Sequence, residues 1–165
     1  MRIRPVRSDQ WRELRALRFR ALADDPDAFG STLAAEMAEP EEAWRLWWLG
    51  RADGIALVAE EDGRFVAMGF GGPAPGHPEV AGFFGMWVAP DARRRGIGTA
   101  LIERLVEWAR STGYRQVGLG VTTTNLTAVE VYAGLGFVDS GARMALRGGS
   151  ELTIQIMTMS VDPAE

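Results

Sequence analysis

Apolar and polar residues alternate in the N-terminal part of the chain with two periods, first that of a strand and then that of a helix. Residues 2–6 alternate like a short strand. The 3.6-residue spacing that follows predicts a helix that is capped by Ser8 or Asp9 and ends near Ala23. A second helix is expected over Pro40–Leu49, because proline suits the first turn of a helix. The apolar face of the first helix consists of Trp11, Leu14, Leu17 and Ala21.

The middle of the chain has the pattern of strands joined by a tight turn. The apolar runs 55–61 and 64–72 flank Asp62-Gly63, a dipeptide typical of a two-residue β-hairpin turn. These runs are predicted to form antiparallel strands. The Pro- and Gly-rich stretch 73–78 is typical of a loop, and another strand is expected over 80–89.

The period changes again after this strand. Residues 98–112 have the spacing of an amphipathic helix, and 115–121 form another apolar run. Strand, helix and strand over 80–121 are long enough for a crossover between two parallel strands. The predicted buried face of this helix consists of Leu101, Ile102, Leu105, Val106, Trp108 and Ala109.

One more helix and a pair of strands complete the pattern. Asn125 is a candidate N-cap for a helix that ends at Leu135, and apolar runs over 137–147 and 152–161 flank a Gly-Gly-Ser turn. No linker or repeat interrupts the order, so residues 1–165 are expected to form one α/β domain with a mixed sheet. The residues of the last helix available for burial are Ala128, Val129, Val131, Tyr132 and Leu135.

The composition removes several classes of chemistry. The chain has 165 residues, 47% of them hydrophobic, and no cysteine, so it can bury a core without disulfides and has no catalytic thiol or thiolate metal site. All 18 basic residues are arginine, which excludes Gly-Lys-Ser/Thr phosphate loops and Schiff-base lysines. The single histidine, His77, leaves little material for a metal site, and none is expected.

Charge and hydropathy limit the classes of partner that the chain can have. With a net charge of −4, the chain lacks the basic footprint that nucleic-acid phosphates require. Neither an apolar h-region at the start nor a run of 18 apolar residues occurs, so no signal peptide and no membrane span are predicted. A cytoplasmic protein without nucleic-acid or membrane partners is therefore expected.

The sharpest chemical feature is the segment Arg93-Arg94-Arg95-Gly96-Ile97-Gly98-Thr99, between a predicted strand and a predicted helix. A helix N-terminus presents unpaired N–H groups to an anion, and glycines let the oxygens of the anion approach closely. Leu101 stands where a Gly-x-Gly-x-x-Gly motif has its third glycine, which disfavours a dinucleotide site. The segment is therefore either a phosphate-binding loop or a solvated arginine turn that caps the helix.

The pattern Arg93-x-x-Gly96-x-Gly98, together with Asn125, Tyr132 and Gly136-Phe137, resembles the GNAT superfamily of acyl-CoA-dependent N-acetyltransferases. The resemblance covers essentially the whole chain. It implies a single domain with a mixed, mostly antiparallel sheet of about seven strands and about four helices. It also implies acetyl-CoA as co-substrate and an amine acceptor, either a small molecule or a peptide. Homodimers are common among proteins that resemble this one, which suggests a homodimer here.

The resemblance assigns roles to individual residues. Backbone amides from Arg94 to Thr99 are expected to hold the coenzyme A pyrophosphate, with charge from the three arginines. The pantetheine arm is expected in a gap between 80–89 and 115–121, where strand amides would stabilise the oxyanion that forms on the thioester. The expected cofactor-binding residues are Met86, Trp87, Val88, Arg93, Arg94, Arg95, Gly96, Ile97, Gly98, Thr99 and Asn125.

Two helix residues and the general base have more than one interpretation. Asn125 caps its helix, contacts the pantetheine, or does both. Tyr132 either packs as a core aromatic or, as the resemblance implies, is catalytic and donates a proton or hydrogen bond to the departing thiolate. Many members of the superfamily carry a glutamate on the strand before the phosphate loop as a base. Residues 81–88 contain none, which leaves Glu79 or His77 acting through water, or water alone.

The resemblance places the acceptor in a groove bounded by the first two helices, their connection and the last two strands. Trp44, Trp47 and Trp48 share one helical face and either line this groove or pack onto the sheet. Nearby acidic residues either attract a cationic amine or favour a helix N-terminus. These residues are Glu36, Glu39, Glu41 and Glu42. The expected reaction is direct attack of a neutral primary amine on acetyl-CoA, and the alternative is a non-catalytic acyl-CoA sensor of the same fold.

Overall fold

A computed structural model describes residues 1–47 and 51–162. These residues form one seven-stranded sheet with strand order β1-β2-β3-β4-β5-β7-β6. Every neighbouring pair is antiparallel except β4 and β5. The strands are β1 (Arg2–Pro5), β2 (Ile55–Glu61), β3 (Arg64–Ala74), β4 (His77–Val88), β5 (Gln116–Thr122), β6 (Val138–Ala145) and β7 (Thr153–Ser160). The predicted mixed, mostly antiparallel α/β fold is confirmed.

Five α-helices accompany the sheet in the described part of the chain. They are α1 (Trp11–Asp24), α2 (Leu33–Met37), α3 (Glu41–Trp47), α4 (Ile97–Thr112) and α5 (Leu126–Gly134). The short helix α2 has no counterpart in the sequence prediction, because five residues give too little periodicity to detect. The predicted end of the second helix, residues 48–50, lies outside the described residues.

The β2–β3 hairpin turns at Asp62-Gly63 as predicted. Both residues have positive φ, 50° and 74°, which is the requirement of a type I′ turn. By contrast, the prediction of a loop over 73–78 was wrong. Strand β3 continues to Ala74, which pairs with His77 at the start of β4. Prolines are tolerated there because the register shifts at this end of the hairpin, where a missing N–H disrupts no regular ladder.

Helices cover both faces of the sheet. A Cβ placed on Gly71 of β3 would lie 2.7 Å from Trp108 of α4, so α4 packs directly on this strand. On the other face, the indole Nε1 of Trp87 donates to Asp24 of α1. The predicted apolar faces of α1 and α4 are confirmed, since their members are buried or half-buried. In α5 the prediction of burial was wrong for Val131, which is 42% exposed.

The middle of the sheet forms the core. Its largest fully buried side chains come from both helical layers and from the central strands: Leu14, Leu22, Leu57, Met68, Phe70, Leu101, Ile102, Leu105 and Phe137. Within 1–47 and 51–162, no helix combines the length and the apolar character that a membrane crossing requires.

Candidate active site

The two parallel strands separate halfway along the sheet. In this part of the structure β4 pairs with β5 only through Ala81–Val117, Gly82–Gly118 and Phe83–Leu119. Strand β4 then continues along β3 to Val88, while β5 continues along β7 to Thr122. The facing edges beyond Phe83 are unpaired with each other, so the sheet contains a gap that an extended ligand arm can enter as an additional strand.

A β-bulge lies at the beginning of this gap. Phe70 pairs with Phe84 and Met68 pairs with Trp87, so β4 contains one more residue than β3 over the same interval. Gly85 occupies the bulge with φ of 61°, and a Cβ there would lie 2.7 Å from the ring of Phe70. Only glycine fits both the backbone conformation and the space. The bulge turns the strand away from β5 and so helps to open the gap.

Hydrogen bonding at the end of β4 fixes the direction of its last amide. Ala89 donates its N–H to the carbonyl of Val66 on β3 at 2.8 Å. Successive peptide groups of a strand point to opposite edges, so the N–H and C=O of Val88 point away from β3, into the gap. Consistent with this direction, Nε of Arg93 donates to the Val88 carbonyl at 2.9 Å. Trp87 is two positions before Ala89 and turns its own amide towards β3.

The N-terminus of α4 lies directly after this strand end. Arg94 and Gly96 have left-handed backbone conformations, with φ of 60° and 76°. The first intrahelical bond joins the N–H of Ala100 to the carbonyl of Gly96, so the N–H groups of Ile97, Gly98 and Thr99 have no helical acceptor. A Cβ on Gly98 would find only Val88 within 4 Å, at 3.7 Å. The first turn is therefore open to an anion.

The three arginines of the loop differ in their partners. Arg93 pairs with Asp24 at 2.6 Å, and Arg95 pairs with Glu61 of β2, with one hydrogen bond of 3.1 Å. The hydrogen bond from Arg95, together with its charge, holds the pKa of Glu61 below its ordinary value. Arg94 is exposed and forms no hydrogen bond or ion pair with the residues that the structure describes. It is thus the loop arginine whose donors are available to a ligand.

Helix α5 presents Asn125 and Tyr132 beside the gap. The side chain of Asn125 accepts the N–H of Ala128 at 3.2 Å, so its predicted capping role is confirmed. Tyr132 is half-buried and meets Phe137 edge-on. Among the described residues its hydroxyl has no hydrogen-bond partner. Burial raises the pKa of the phenol above its ordinary value, which keeps the proton on the oxygen at neutral pH.

Glu36 does not face the expected acceptor groove. It is 2% exposed and forms a bidentate ion pair with Arg18, with a shortest distance of 2.7 Å. Arg18 in turn stacks over Phe29 at 4.6 Å. Of the two interpretations of Glu36, attraction of a cationic amine was wrong, because its charge is already neutralised in the interior, whereas its position in the first turn of α2 agrees with the other. The sequence gives little indication of this ion pair, because Arg18 and Glu36 are 18 positions apart.

The other acceptor-side residues have local partners. Trp44 is 3% exposed and packs edge-on against Phe19, with ring centroids 5.6 Å apart, which agrees with packing and not with lining a groove. Trp48 and the side chain of Trp47 lie outside the described residues. Arg147, in the β6–β7 connection, donates to the carbonyls of Pro26 and Phe29 at 3.1 and 2.9 Å. This contact joins the connection between α1 and α2 to the last two strands.

The two candidate bases on β4 are far from the gap. His77 and Glu79 are exposed and lie 3.4 Å from each other at the beginning of the strand. Strand β4 has 12 residues, and at about 3.3 Å per residue His77 lies roughly 36 Å and Glu79 roughly 30 Å from Val88 along the strand. Neither side chain can reach an amine at the gap through one water molecule.

Sequence reasoning missed two residues at this site. Asp24 binds both Trp87 and Arg93, but these partners are 63 and 69 positions away in sequence, and no local pattern connects them. The bulge at Gly85 could have been predicted from the sequence, because a glycine inside an apolar strand often marks a bulge. It lies within the strand predicted over 80–89.

An open parallel edge beside a helix N-terminus without a side-chain cap is an arrangement that suits an anionic ligand with an extended arm. Comparison with known proteins gives the family. The model of the Acetyltransferase (GNAT) family matches residues 9–137. The chain therefore belongs to this family of acetyltransferases.

Individual relatives agree with this assignment. An N-acetyltransferase of Methanocaldococcus jannaschii is 48% identical over 61 residues, which are 37% of this chain and 27% of that protein. The L-2,4-diaminobutyric acid acetyltransferase of Nocardia farcinica is 27% identical over 147 residues, covering 78% of this chain and 72% of that protein. The chain thus matches only about a quarter of the first relative and most of the second.

A solved structure has the same fold. The yncA acetyltransferase from Salmonella typhimurium, determined with its cofactor acetyl-CoA, superposes with a TM-score of 0.81 at 20% identity. The match covers 100% of this chain and 96% of that chain. This likeness shows that the two proteins share the fold.

Proposed function

We propose that this protein transfers the acetyl group of acetyl-CoA to a primary amine by direct attack within a ternary complex. The observation that carries the proposal is the direction of the Val88 amide. Its N–H points into an unpaired gap, at the end of β4 that lies next to the open N-terminus of α4. A donor in that position is suited to a thioester carbonyl when the rest of the coenzyme is held by the helix.

The loop and the first turn of α4 supply an anion site for the pyrophosphate. The free N–H groups of Ile97, Gly98 and Thr99 point to one side of the loop, with the positive end of the helix dipole behind them. Arg94 adds a charged side chain without a partner among the described residues. Arg93 and Arg95 are engaged by carboxylates, so we assign them no direct contact with the phosphates.

The proposed chemistry needs two protein groups. The lone pair of a neutral amine forms the C–N bond, and the thioester oxygen becomes an oxyanion that accepts the N–H of Val88. Collapse of this tetrahedral species breaks the C–S bond, and the Tyr132 hydroxyl donates its proton to the leaving sulfur. The proton of the former amine passes to water, and water returns a proton to the Tyr132 phenolate. The chain has no cysteine, so a cysteinyl acyl-enzyme has no nucleophile.

The acceptor class rests on the relatives and on the absence of a built base. The name of the Nocardia farcinica relative gives L-2,4-diaminobutyric acid, a primary amine, as its acceptor. In the described residues no carboxylate or histidine of β4 lies near Val88, and the carboxylate of Asp24 is already engaged by Trp87 and Arg93. The amine is therefore expected to arrive in its neutral form. We therefore expect the rate to rise with pH until the free amine predominates.

Calorimetric titration with acetyl-CoA and with NAD tests the cofactor site. Saturable binding of acetyl-CoA alone is the expected result, and no heat at millimolar acetyl-CoA rejects the proposal. Release of thiol is then followed with a diamine, L-2,4-diaminobutyrate and a short peptide with a free N-terminus. Amine-dependent release supports transfer. Binding without release from any amine would favour the acyl-CoA sensor.

A further inference from the structure

One carboxylate joins helix α1 to the end of β4 and to the phosphate loop. Oδ2 of Asp24, the last residue of α1, accepts a hydrogen bond from Nε1 of Trp87 at 3.0 Å and from a terminal guanidinium nitrogen of Arg93 at 2.6 Å. The bond from Trp87, and then that from Arg93, lower the pKa of Asp24 below its ordinary value. The carboxylate is therefore ionised at neutral pH.

Arg93 extends this link into the gap. While one nitrogen of its guanidinium binds Asp24, Nε donates to the carbonyl of Val88 at 2.9 Å. The planar guanidinium holds both acceptors in a fixed geometry. Trp87 is 5% exposed and packs beneath Arg20 at 5.7 Å, so the indole is held by Arg20 over its ring and by Asp24 at its Nε1. A continuous chain of bonds thus runs from Asp24 to the last peptide groups of β4.

The Val88 peptide needs such support because its outer edge has no strand partner. On the inner edge β4 is held by β3 up to Ala89. On the outer edge the Val88 carbonyl would otherwise be bonded only to water. The N–H and C=O of Val88 point in the same direction from the strand and belong to adjacent peptide groups joined at its Cα, so a bond to the carbonyl also restricts rotation of the donor.

We propose that Asp24 is a positioning residue for acetyl transfer, which orients the Val88 N–H towards the thioester oxygen through Arg93 and Trp87. The inference rests on the proposed function. In this assignment Arg93 contributes to kcat. The affinity for acetyl-CoA depends instead on Arg94 and on the free N–H groups at the start of α4. Loss of Asp24 therefore lowers kcat and leaves acetyl-CoA binding nearly unchanged, whereas a merely structural residue would lower stability and affinity together.

The experiment compares Asp24→Ala, Asp24→Asn and Arg93→Ala with the parent protein. The control is Glu60→Gln, which removes an ion pair of similar length, 2.8 Å, between Glu60 of β2 and Arg4 of β1, on the far side of β3 from the gap. For each protein we would measure kcat, the dissociation constant of acetyl-CoA by calorimetry, and hydrogen exchange of the peptide spanning 83–92. Thermal unfolding of each variant is recorded alongside.

Asp24→Ala and Arg93→Ala are expected to lower kcat by about 10- to 100-fold, since a misplacement near 1 Å has this effect. Their acetyl-CoA dissociation constants stay within about threefold, and exchange over 83–92 becomes faster. Asp24→Asn, which still offers an oxygen acceptor, recovers part of kcat. The control is expected to match the parent in all three measurements.

Two results would overturn the proposal. One is an unchanged kcat in Asp24→Ala. The other is a parallel loss of kcat, affinity and thermal stability, which marks a structural role. Failure of the parent protein to bind acetyl-CoA would reject the proposed function instead. The anchoring of β4 is then decided by hydrogen exchange alone, where unchanged exchange in Asp24→Ala contradicts it and faster exchange supports it.

Discussion

Tyr132 stands edge-on to Phe137, with ring centroids 6.1 Å apart. Phe137 in turn contacts Phe83 at 6.4 Å, and Phe83 is the last residue of β4 that pairs with β5. The aromatic contacts therefore tie the phenol of α5 to the point where the gap begins. Edge-to-face pairs of this kind restrict the ring orientation, so the hydroxyl is held in one place relative to the two strands.

Replacement of Tyr132 by phenylalanine tests its role as the proton donor. The ring contacts remain, so folding and acetyl-CoA affinity should be retained, while kcat falls by roughly 100-fold, the lower end of what general acids contribute. Steady-state kinetics and calorimetry on the same preparation separate the two effects. Equal losses in kcat and affinity would contradict the assignment and point to a packing role.

The raised pKa of Tyr132 also predicts a pH profile. The donor must be protonated, and burial raises its pKa above the ordinary value of 10.0. Any loss of kcat that comes from deprotonation of this group therefore has its midpoint above pH 10. A descending limb with a midpoint below pH 10 that persists in Tyr132→Phe would belong to another group. A descending limb below pH 10 that disappears in Tyr132→Phe would show that burial does not raise the phenol pKa.

Substitutions at Gly98 test the pyrophosphate site by charge. A Cβ here meets only Val88, at the ordinary distance of 3.7 Å, so both Gly98→Asp and Gly98→Asn should fold. They have nearly the same size, but only aspartate repels a phosphate. We expect at least about tenfold weaker acetyl-CoA binding by Gly98→Asp than by Gly98→Asn at low salt, with a smaller difference at high salt. Equal affinities would place the pyrophosphate elsewhere.

Arg94 should carry the side-chain part of phosphate binding. Arg94→Gln removes an exposed guanidinium without a described partner, and we expect acetyl-CoA affinity to fall by about three- to tenfold, with a weaker salt dependence. Arg110→Gln is the control, because it removes the same charge near the other end of α4, about 20 Å away at 1.5 Å per residue. If both variants bind equally, the effect is one of net charge and not of contact.

Close packing of α4 on the sheet predicts a stability effect at Gly71. A Cβ would lie 2.7 Å from Trp108, so Gly71→Ala should lower the free energy of unfolding by about 1–3 kcal/mol. Gly72→Ala is the matched control on the opposite face, where the nearest atom, on Arg51, is 3.9 Å away.

Urea denaturation of both Gly71 and Gly72 variants measures this difference. In a Trp108→Leu background the cost of Gly71→Ala should shrink, because the ring that it meets is absent. An undiminished cost would mean that the alanine disturbs the strand itself.

Elements with local signals could be predicted from the sequence. The Asp62-Gly63 turn and the helix over 98–112 carry their own determinants, in backbone conformation and apolar period. The stretch 73–78 was misread because prolines and glycines also occur in a tightly turned hairpin. Helix α2 was too short to show a period.

The candidate site was predictable as a segment but not as a set of contacts. The arginine-glycine segment marks a helix N-terminus, and this is a local property. Which arginine is free is decided by Asp24 and Glu61, 69 and 34 positions away from their partners. The role of Glu36 likewise depends on a distant partner. Its charge is compatible with attraction of an amine, but in the fold it is paired with Arg18. Ion pairs between residues far apart in the chain produce no periodic pattern in the sequence, so they cannot be predicted from it.

The strand order also determines when the protein can finish folding. Strand β7 lies between β5 and β6, although it is synthesised after both. On the ribosome, β5 and β6 therefore emerge before the strand that joins them, and the edge of β5 stays open until residues 153–160 appear. Such an edge can pair with other chains. A stop codon before β7 would thus leave an aggregation-prone chain, even though the segment with the arginines, the bulge and Tyr132 would already be complete.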